Sequence, residues 1–450
     1  MNYPESVQYL YSLGRELEAP AHARTMKFDL ANISALAART GNPQNRFRSV
    51  HIAGTNGKGS TAAMIESILR GAGYRTGLFT SPHLERINER IRVAGSEISD
   101  EEFAAAFSRL RGLVEEMIGS GKLTSHPSFF ECITAMAFDY FARANVEVAV
   151  FEVGMGGRFD ATNIVVPEVS VITQIAFDHE AFLGHAIEQI AGEKAGIIKA
   201  GVPVVSAAAD PLADEVIRRR AAELSSPLIE IDVDYRVKLN ESDVRGSHVH
   251  VSGARDDFSV SLEVPLPGEF QVRNAVTAIA AARVLASRGF KLPPEHIAKG
   301  IAAVRWPGRL EQISENPTVF LDGSHNPAGA RELAEFLDEN FAGRRILLVF
   351  GAVRDKSVDE IAELLFPRAA SVFLTAPKNS RALSAEALAE ITHGMAATTR
   401  IVPDPSAALQ MAISDAAPSD VVIVTGSLYL VGTLRAWWNS RQPSAAAIST

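Results

Sequence analysis

The sequence has almost no cysteine: one residue, Cys132, in 450. An internal disulfide is therefore excluded, and a lone thiol suits a reducing compartment. Cys132 follows Glu131 in an apolar stretch, which reads as a buried bystander rather than a nucleophile. Excess positive charge is also missing, since 44 Lys and Arg stand against 53 Asp and Glu for a net charge of −9. That balance argues against a nucleic-acid or acidic-membrane surface, so anionic ligands must be held by local devices. No charge-free apolar run is long enough to span a bilayer. The first residues, Met-Asn-Tyr-Pro-Glu-Ser, carry neither a basic n-region nor an apolar h-region, so no signal peptide is expected and the expected location is the cytoplasm. Internal repeats are absent, and the Ser/Ala-rich end, 442–450, is expected to fray. What remains is globular material, 47% hydrophobic and 22% charged, of a length that suits two or three domains.

The most informative segment is His51-Ile-Ala-Gly-Thr-Asn-Gly-Lys-Gly-Ser60. Three glycines bracket Lys58, an apolar run precedes them and a helical pattern over 61–70 follows. Strand, glycine loop and helix N-terminus together form a phosphate cradle, in which backbone N–H groups and the helix dipole favour an anion and the lysine adds a point charge. A nucleoside triphosphate is the ligand this predicts. The common loop places Ser or Thr directly after the lysine to ligate Mg²⁺. Here Gly59 occupies that place and the hydroxyl waits until Ser60, so another group must complete the metal shell.

Apolar runs alternate with amphipathic helical patterns along most of the chain, which predicts an α/β fold with a mostly parallel central sheet. Residues 146–153, 169–175 and 202–206 read as buried strands, with a helix around 187–198. Residues 228–239, 248–252 and 258–264 alternate apolar and polar side chains and predict a small antiparallel sheet, with a polar turn at 240–243. A long Ala-rich helix, about 272–287, ends at Gly289. Arg305-Trp306-Pro307-Gly308-Arg309 reads as a hinge. Strands at 318–321, 345–350, 371–375, 400–402 and 420–425 then alternate with helices at 328–339, 357–365, 385–392 and 406–414, a second, doubly wound α/β domain of ordinary size. Ligands of such sheets bind beyond the carboxyl ends of strands, and two such domains joined by a hinge suggest a closing cleft.

Other constellations sit at strand ends. Ser81-Pro82-His83-Leu84 follows a strand-like 76–80, and Ser81 could supply the hydroxyl that Gly59 does not. Glu152 ends a strand and opens Glu152-Val-Gly-Met-Gly-Gly-Arg-Phe-Asp-Ala-Thr-Asn163, where a carboxylate suits a hard cation and the glycines let backbone approach a ligand. Asp178-His179 follows another strand. Lys194, within an apolar helical stretch, must be paired or chemically altered. Gln271 and Asn274 share a helix face, Arg309 could reach phosphate as a bidentate donor, and Asp322-Gly-Ser-His-Asn-Pro327 closes the first strand of the last domain. Asp322 there could bind ribose hydroxyls or a cation, and His325 could face reacting groups. Taken singly, each of these also has a turn, cap or salt-bridge explanation.

Taken in order, Gly54–Ser60, Ser81–Leu84, Glu152–Asn163, Asp178-His179, Glu193-Lys-Ala-Gly196 and Asp322–Pro327 closely resemble the folylpolyglutamate synthase/dihydrofolate synthase family of the Mur-ligase-like superfamily, ATP-dependent amide ligases. The resemblance runs from about Tyr9 to Gly432, and the Asn-Gly-Lys-Gly form of the loop is typical of the folate branch. It implies an ATP-binding central domain over 1–306 carrying the antiparallel subsheet at 228–265, a C-terminal glutamate-ligase domain over 307–440, and a tail at 441–450. Thr55, Asn56, Gly57, Lys58, Gly59 and Ser60 would hold the ATP phosphates, with Asn274, Arg309 and Asp322 as further ATP contacts. Ser81, Glu152 and His179 would bind Mg²⁺. Lys194 would be carbamylated by CO₂, completing a second Mg²⁺ site, and K⁺ is a further candidate ion. Lys58, Lys194 and His325 would serve catalysis. Thr25, Lys27, Phe28, Ser128, Phe129, Phe130, Glu131, Phe159, Asp160 and Ala161 match regions that hold the pterin substrate.

The implied reaction is a two-step ligation. A folate or pteroate carboxylate attacks the γ-phosphorus of ATP, and the amine of L-glutamate then displaces phosphate from the acyl phosphate. Acceptors would be tetrahydrofolate or 7,8-dihydropteroate, with neither nucleic acid nor membrane as partner and a monomer as the expected state. A polyglutamate synthase without the dihydropteroate reaction, a Mur-type peptide ligase and a non-ligating nucleotide switch remain as alternatives. The loop form, and the lack of a separate UDP-binding domain before it, weigh against the peptide ligase. The carboxylate and histidine after separate strands weigh against the switch.

Overall fold

The computed structural model describes residues 1–14, 29–123 and 125–441, so the expected tail lies outside it except for Arg441. The chain forms two compact units. One comprises Met1–Pro265 and Glu269–Arg305; the other holds Leu266–Gly268 and the described chain from Trp306 onward.

The first unit is built on eight strands: β1 (Arg48–Ala53), β2 (Thr76–Phe79), β3 (Ile91–Val93), β4 (Ser96–Glu97), β5 (Val148–Glu152), β6 (Val169–Ile172), β7 (Val204–Ser206) and β8 (Leu228–Glu230). Their order is β4-β3-β2-β5-β1-β6-β7-β8. Every pairing from β2 to β8 is parallel, while β3 and β4 form an antiparallel edge. The central strands are rich in apolar residues, and β5 and β6 are buried at every position, as expected where helices cover both faces. One core cluster gathers Phe47, Phe79, Phe138, Phe141 and Phe151, with the Phe138 and Phe151 rings 5.1 Å apart. Helices Asp100–Gly119 and Phe129–Arg143 supply much of it, and each starts from a Ser-x-x-Glu capping box. A second cluster joins Ile172 and Val204 to Ile190 of helix Ile187–Lys194 and Ile217 of helix Pro211–Glu223.

The small antiparallel sheet is present as β9 (Tyr235–Asp243), β10 (Gly246–Gly253) and β11 (Ser259–Val264), in the order β11-β10-β9. Its first strand differs from expectation. Residues 228–239 are not one strand: Leu228–Glu230 pairs in parallel with β7 as the edge of the main sheet, a short helix Ile231–Asp234 turns the chain, and β9 starts only at Tyr235. The Asp234 carboxylate accepts the Glu230 N–H at 2.9 Å and fixes that turn. The polar stretch 240–243 belongs to β9, and the reversal falls one residue later, where Asp243 accepts the Arg245 N–H at 2.7 Å.

The second unit carries β12 (Glu311–Glu315), β13 (Thr318–Leu321), β14 (Ile346–Phe350), β15 (Ser371–Leu374), β16 (Thr399–Ile401) and β17 (Val421–Thr425), in the order β12-β13-β17-β14-β15-β16. All pairings are parallel except β12–β13, an antiparallel edge strand absent from the pattern read in the sequence. The fold class is thus the expected one, a mostly parallel central sheet with a small antiparallel sheet and a second α/β domain. Among the described residues no helix is long and apolar enough to cross a membrane.

Candidate functional site

Strand β1 lies between β5 and β6 in the middle of its sheet, so the glycine loop leaves the carboxyl edge at the centre. Helix Lys58–Gly71 begins at once behind it, with Gly57 as N-cap and no side chain capping its first amides. Those N–H groups and the helix dipole favour an anion at that end of the loop. The segment after β6 splints the loop from one side. Gln174 O accepts the Thr55 N–H at 2.7 Å, Thr55 Oγ1 donates to Ala176 O at 2.9 Å and accepts the Ala176 N–H at 3.1 Å, and Thr173 Oγ1 donates to Asn56 O at 2.7 Å. The Lys58 ammonium folds back to donate to Thr55 O at 2.9 Å. Gly57 has φ +83°, and a Cβ there would stand 2.2 Å from Asn274 Oδ1, so both conformation and space demand glycine. Asn274, from helix Glu269–Ser287, is buried and donates through Nδ2 to Gln271 Oε1 at 3.0 Å. Gly59 and the buried Ser60 follow in the first helical turn.

Two neighbouring strands bring acid and hydroxyl to the same edge. Glu152 ends β5, is 4% exposed, and accepts the N–H of Ser81, which follows β2, at 3.1 Å. His179 stands apart in the sequence of strands, after β6, with φ +52° and its N–H on Asp178 Oδ1 at 2.8 Å. Among the described residues no group of three or more His, Cys, Asp and Glu is arranged to enclose a metal. A buried carboxylate beside a serine fits Mg²⁺ all the same, because that ion uses one or two carboxylates and fills its octahedron with water and phosphate. Lys194 is 4% exposed, and its Nζ donates to Gly54 O at 2.7 Å, tying the phosphate loop to helix Ile187–Lys194.

The glycine-rich segment after Glu152 packs onto that same helix. The Arg158 N–H donates to Glu193 O at 2.9 Å, and a Cβ on Gly157 would stand 2.9 Å from Glu193 O and 3.0 Å from Lys194 O, which only glycine tolerates. Asn163 Nδ2 donates to Arg158 O at 2.9 Å and Gly196 O at 3.2 Å. Asp160 is turned inward. Its Oδ2 accepts the N–H groups of Gly154 at 2.9 Å and Met155 at 3.2 Å, and its Oδ1 accepts the Thr162 N–H at 2.9 Å and the Thr162 hydroxyl. Burial raises the Asp160 pKa to about 6, against the pull of those donors.

Several residues matched to the pterin-binding regions have structural work in this fold. Ser128 caps helix Phe129–Arg143 by accepting the Glu131 N–H at 3.2 Å, and Glu131 Oε2 returns to the Ser128 N–H and hydroxyl, both at 2.8 Å. Phe129 is 3% exposed, stacks on Tyr11 at 5.9 Å and lies under the Arg90 guanidinium at 5.2 Å. Ala161 is buried. Phe130 lies against Gly154, and Phe159 is exposed on the segment's outer side. Thr25, Lys27 and Phe28 lie outside the described residues. Cys132 is buried, and burial pushes its thiol up to about 12, which leaves no thiolate near neutral pH.

In the second unit Asp322 directly follows β13, buried, with Oδ2 on the Leu310 N–H at 3.1 Å and Oδ1 on the Ser324 N–H at 2.9 Å. It thereby ties the chain beside Arg309 to the Asp322–His325 turn. The Arg309 guanidinium lies over Gly323, where a Cβ would stand 2.3 Å from Nη1. His325 Nδ1 is 2.8 Å from Gly323 O; a carbonyl only accepts, so Nδ1 carries the hydrogen and Nε2 of the neutral ring is an acceptor.

The residues that sequence reasoning passed over are the supports: Thr173 under the phosphate loop, and His51 and Thr162 behind Asp160. A histidine between the apolar Val50 and Ile52 of a buried strand was the available signal for His51, while its partner lies 111 positions away.

The chain matches two protein families, the Mur ligase middle domain over residues 52–282 and the Mur ligase, glutamate ligase domain over residues 308–428. It is 38% identical to the dihydrofolate synthase/folylpolyglutamate synthase of Bacillus subtilis (strain 168), across 91% of this chain and 95% of that one. Among solved structures, Mycobacterium tuberculosis folylpolyglutamate synthase complexed with ADP superposes with a TM-score of 0.88 at 36% identity, covering 98% of this chain and 99% of that one. The Yersinia pestis bifunctional folylpolyglutamate synthase/dihydrofolate synthase complexed with AMPPNP and Mn ion gives 0.84 at 32% identity, covering 98% of each.

Proposed function

This chain belongs to the Mur ligase family, in its folylpolyglutamate synthase/dihydrofolate synthase branch, and we propose from that premise that it performs both reactions of the compound name, adding L-glutamate to 7,8-dihydropteroate and to tetrahydrofolate. It is an ATP-dependent ligase that joins glutamate to a folate carboxylate. The observation that carries the proposed site is the splinted phosphate loop with an uncapped helix N-terminus, next to Glu152 and Ser81 at adjoining strand ends.

In the proposed reaction the loop amides of Thr55–Ser60 and the Lys58 ammonium hold the ATP phosphates. The acceptor carboxylate attacks the γ-phosphorus, the bond to the ADP oxygen breaks, and an acyl phosphate forms. The glutamate amine then attacks the acyl carbon, loses its proton, and the tetrahedral intermediate expels phosphate. Two anions must meet in the first step, and fixed N–H dipoles and Lys58 offset their repulsion without reorganising. Mg²⁺, held by Glu152 and Ser81 with His179, would supply Lewis-acid charge neutralisation at the phosphates. For Arg309, Asp322, Asn274 and His325 the proposal keeps contacts to ATP and to the reacting groups. One chain suffices, since every assigned residue lies on it.

Lys194 is proposed to be carbamylated. The buried amine beside the phosphate loop supports this, and a carbamate nitrogen retains one hydrogen, enough for the bond to Gly54 O. Intact mass under mild conditions, with and without bicarbonate, should show one carbamate adduct that Lys194→Ala abolishes; an unmodified mass at saturating bicarbonate refutes it.

The dual activity is tested by ADP release with Mg-ATP and L-glutamate, comparing the two acceptors. Glutamate-dependent release with both is expected. Release with tetrahydrofolate alone would overturn the dihydropteroate half of the proposal, and release with neither, in protein that binds ATP, would overturn the whole.

A further inference from the structure

We propose that His51 is a positioning residue for the acyl acceptor, acting through Thr162 and Asp160 on the backbone of the Gly154–Gly157 loop; this rests on the folate-ligase reading above and on the match of the adjoining Phe159, Asp160 and Ala161 to a pterin-binding region. His51 lies in β1, three residues before Gly54, and is fully buried between Val50 and Ile52. An apolar residue would serve the sheet equally well at that place, yet this side chain brings a hydrogen-bonding nitrogen. Its Nε2 is 2.8 Å from Thr162 Oγ1. The Thr162 hydroxyl gives its own hydrogen to Asp160 Oδ1, so the bond from His51 runs from Nε2–H to the threonine oxygen. The ring is therefore the Nε2–H tautomer, and its bare Nδ1 is the buried nitrogen with no partner. Burial, and secondarily the charge of Lys199, lower its pKa to about 3 and keep it neutral.

The chain of bonds ends on backbone. With Oδ1 oriented by Thr162, Asp160 presents Oδ2 to the N–H groups of Gly154 and Met155. These are the residues just beyond Glu152, whose strand pairs directly with β1, His51 facing Phe151 in register. One strand thus carries the phosphate loop at its end and, three residues earlier, the support of the Gly154–Gly157 loop. The phosphate loop has its own supports in Thr173, Gln174 and Ala176, so loss of the His51 bond should loosen one loop and leave the other.

The test uses the full chain and three variants: His51→Leu removes the donor, Thr162→Val removes the link at constant shape, and His51→Gln restores an N–H. Amide hydrogen exchange over residues 153–160 should quicken about tenfold in the first two, as loss of one buried bond implies, and stay near wild type in the third. Exchange over 55–60 should not change. In steady state, KM for the acceptor should rise about tenfold in the first two while KM for ATP stays within about twofold. Unchanged exchange at 153–160 in both His51→Leu and Thr162→Val overturns the proposal, as does equal loosening of both loops. A wild-type protein without acceptor-dependent turnover would sink the functional reading, while the exchange result would still decide the role of His51.

Discussion

Replacing Gly57 by alanine tests the phosphate loop where two independent constraints meet. The residue sits at φ +83°, and the new Cβ would stand 2.2 Å from Oδ1 and 3.1 Å from Cγ of Asn274. Left-handed backbone costs an L-residue about 1–2 kcal/mol. Asn274 must also rotate away, which breaks its buried bond to Gln271 at a further cost of about 1 kcal/mol. Stiffening of the unfolded chain offsets a fraction of this, about 0.5 kcal/mol. The expected net loss is about 1.5–2.5 kcal/mol, read by urea denaturation. If the loop relieves the strain by opening, ADP affinity in calorimetry falls about 10- to 70-fold. The Asn274→Ala background separates the two causes. There the clash is gone and only the backbone strain remains, so Gly57→Ala should cost about 1 kcal/mol less than in the wild type. Wild-type stability and ADP affinity in Gly57→Ala would refute the reasoning, and an equal cost in both backgrounds would refute the part played by Asn274.

Lys58→Ala should lower turnover about a hundredfold, since the lost ammonium stabilises charge that grows in the transition state; unchanged turnover in folded protein would remove Lys58 from the chemistry. Glu152→Gln keeps an oxygen for the Ser81 N–H but loses the charge, so half-saturating Mg²⁺ should rise about tenfold or more with little change in metal-free melting temperature. His51 makes stability sensitive to acid. Its folded pKa, about 3, lies below the unfolded value of 6.5, so the unfolded chain takes up a proton first as pH falls, and the contribution present above 6.5 is lost on the way to 3. Between pH 7 and pH 5 wild type should lose about 2 kcal/mol more than His51→Gln, and equal losses would contradict the buried neutral imidazole.

The phosphate loop was legible because its chemistry is local: three glycines and a lysine between a strand and a helix specify backbone and charge together. Glu152 was legible for a similar reason, an apolar run that delivers one carboxylate to a strand end. The stretch 228–239 misled because alternation is shared by an antiparallel strand and by an edge strand of a parallel sheet, and only the pairing of Leu228 with Val204 separates them. Ser128-Phe-Phe-Glu131 carries a helix-start signature in the same four residues that resemblance assigned to substrate, and the capping bonds now account for both polar side chains. The resemblance matched Asp160 to a substrate region, but its part as a buried anchor for Gly154 and Met155 was not legible, because its partners include Thr162, which is itself bonded to His51 from a strand far earlier in the chain.

The central claim is ligation through an acyl phosphate, and its most direct test follows oxygen. Tetrahydrofolate carrying heavy oxygen in its terminal carboxylate, turned over with Mg-ATP and L-glutamate, should yield the glutamyl amide and phosphate in equal amounts, with one labelled oxygen in each phosphate released. Unlabelled phosphate would mean that water rather than the folate carboxylate attacks ATP, and would contradict the account.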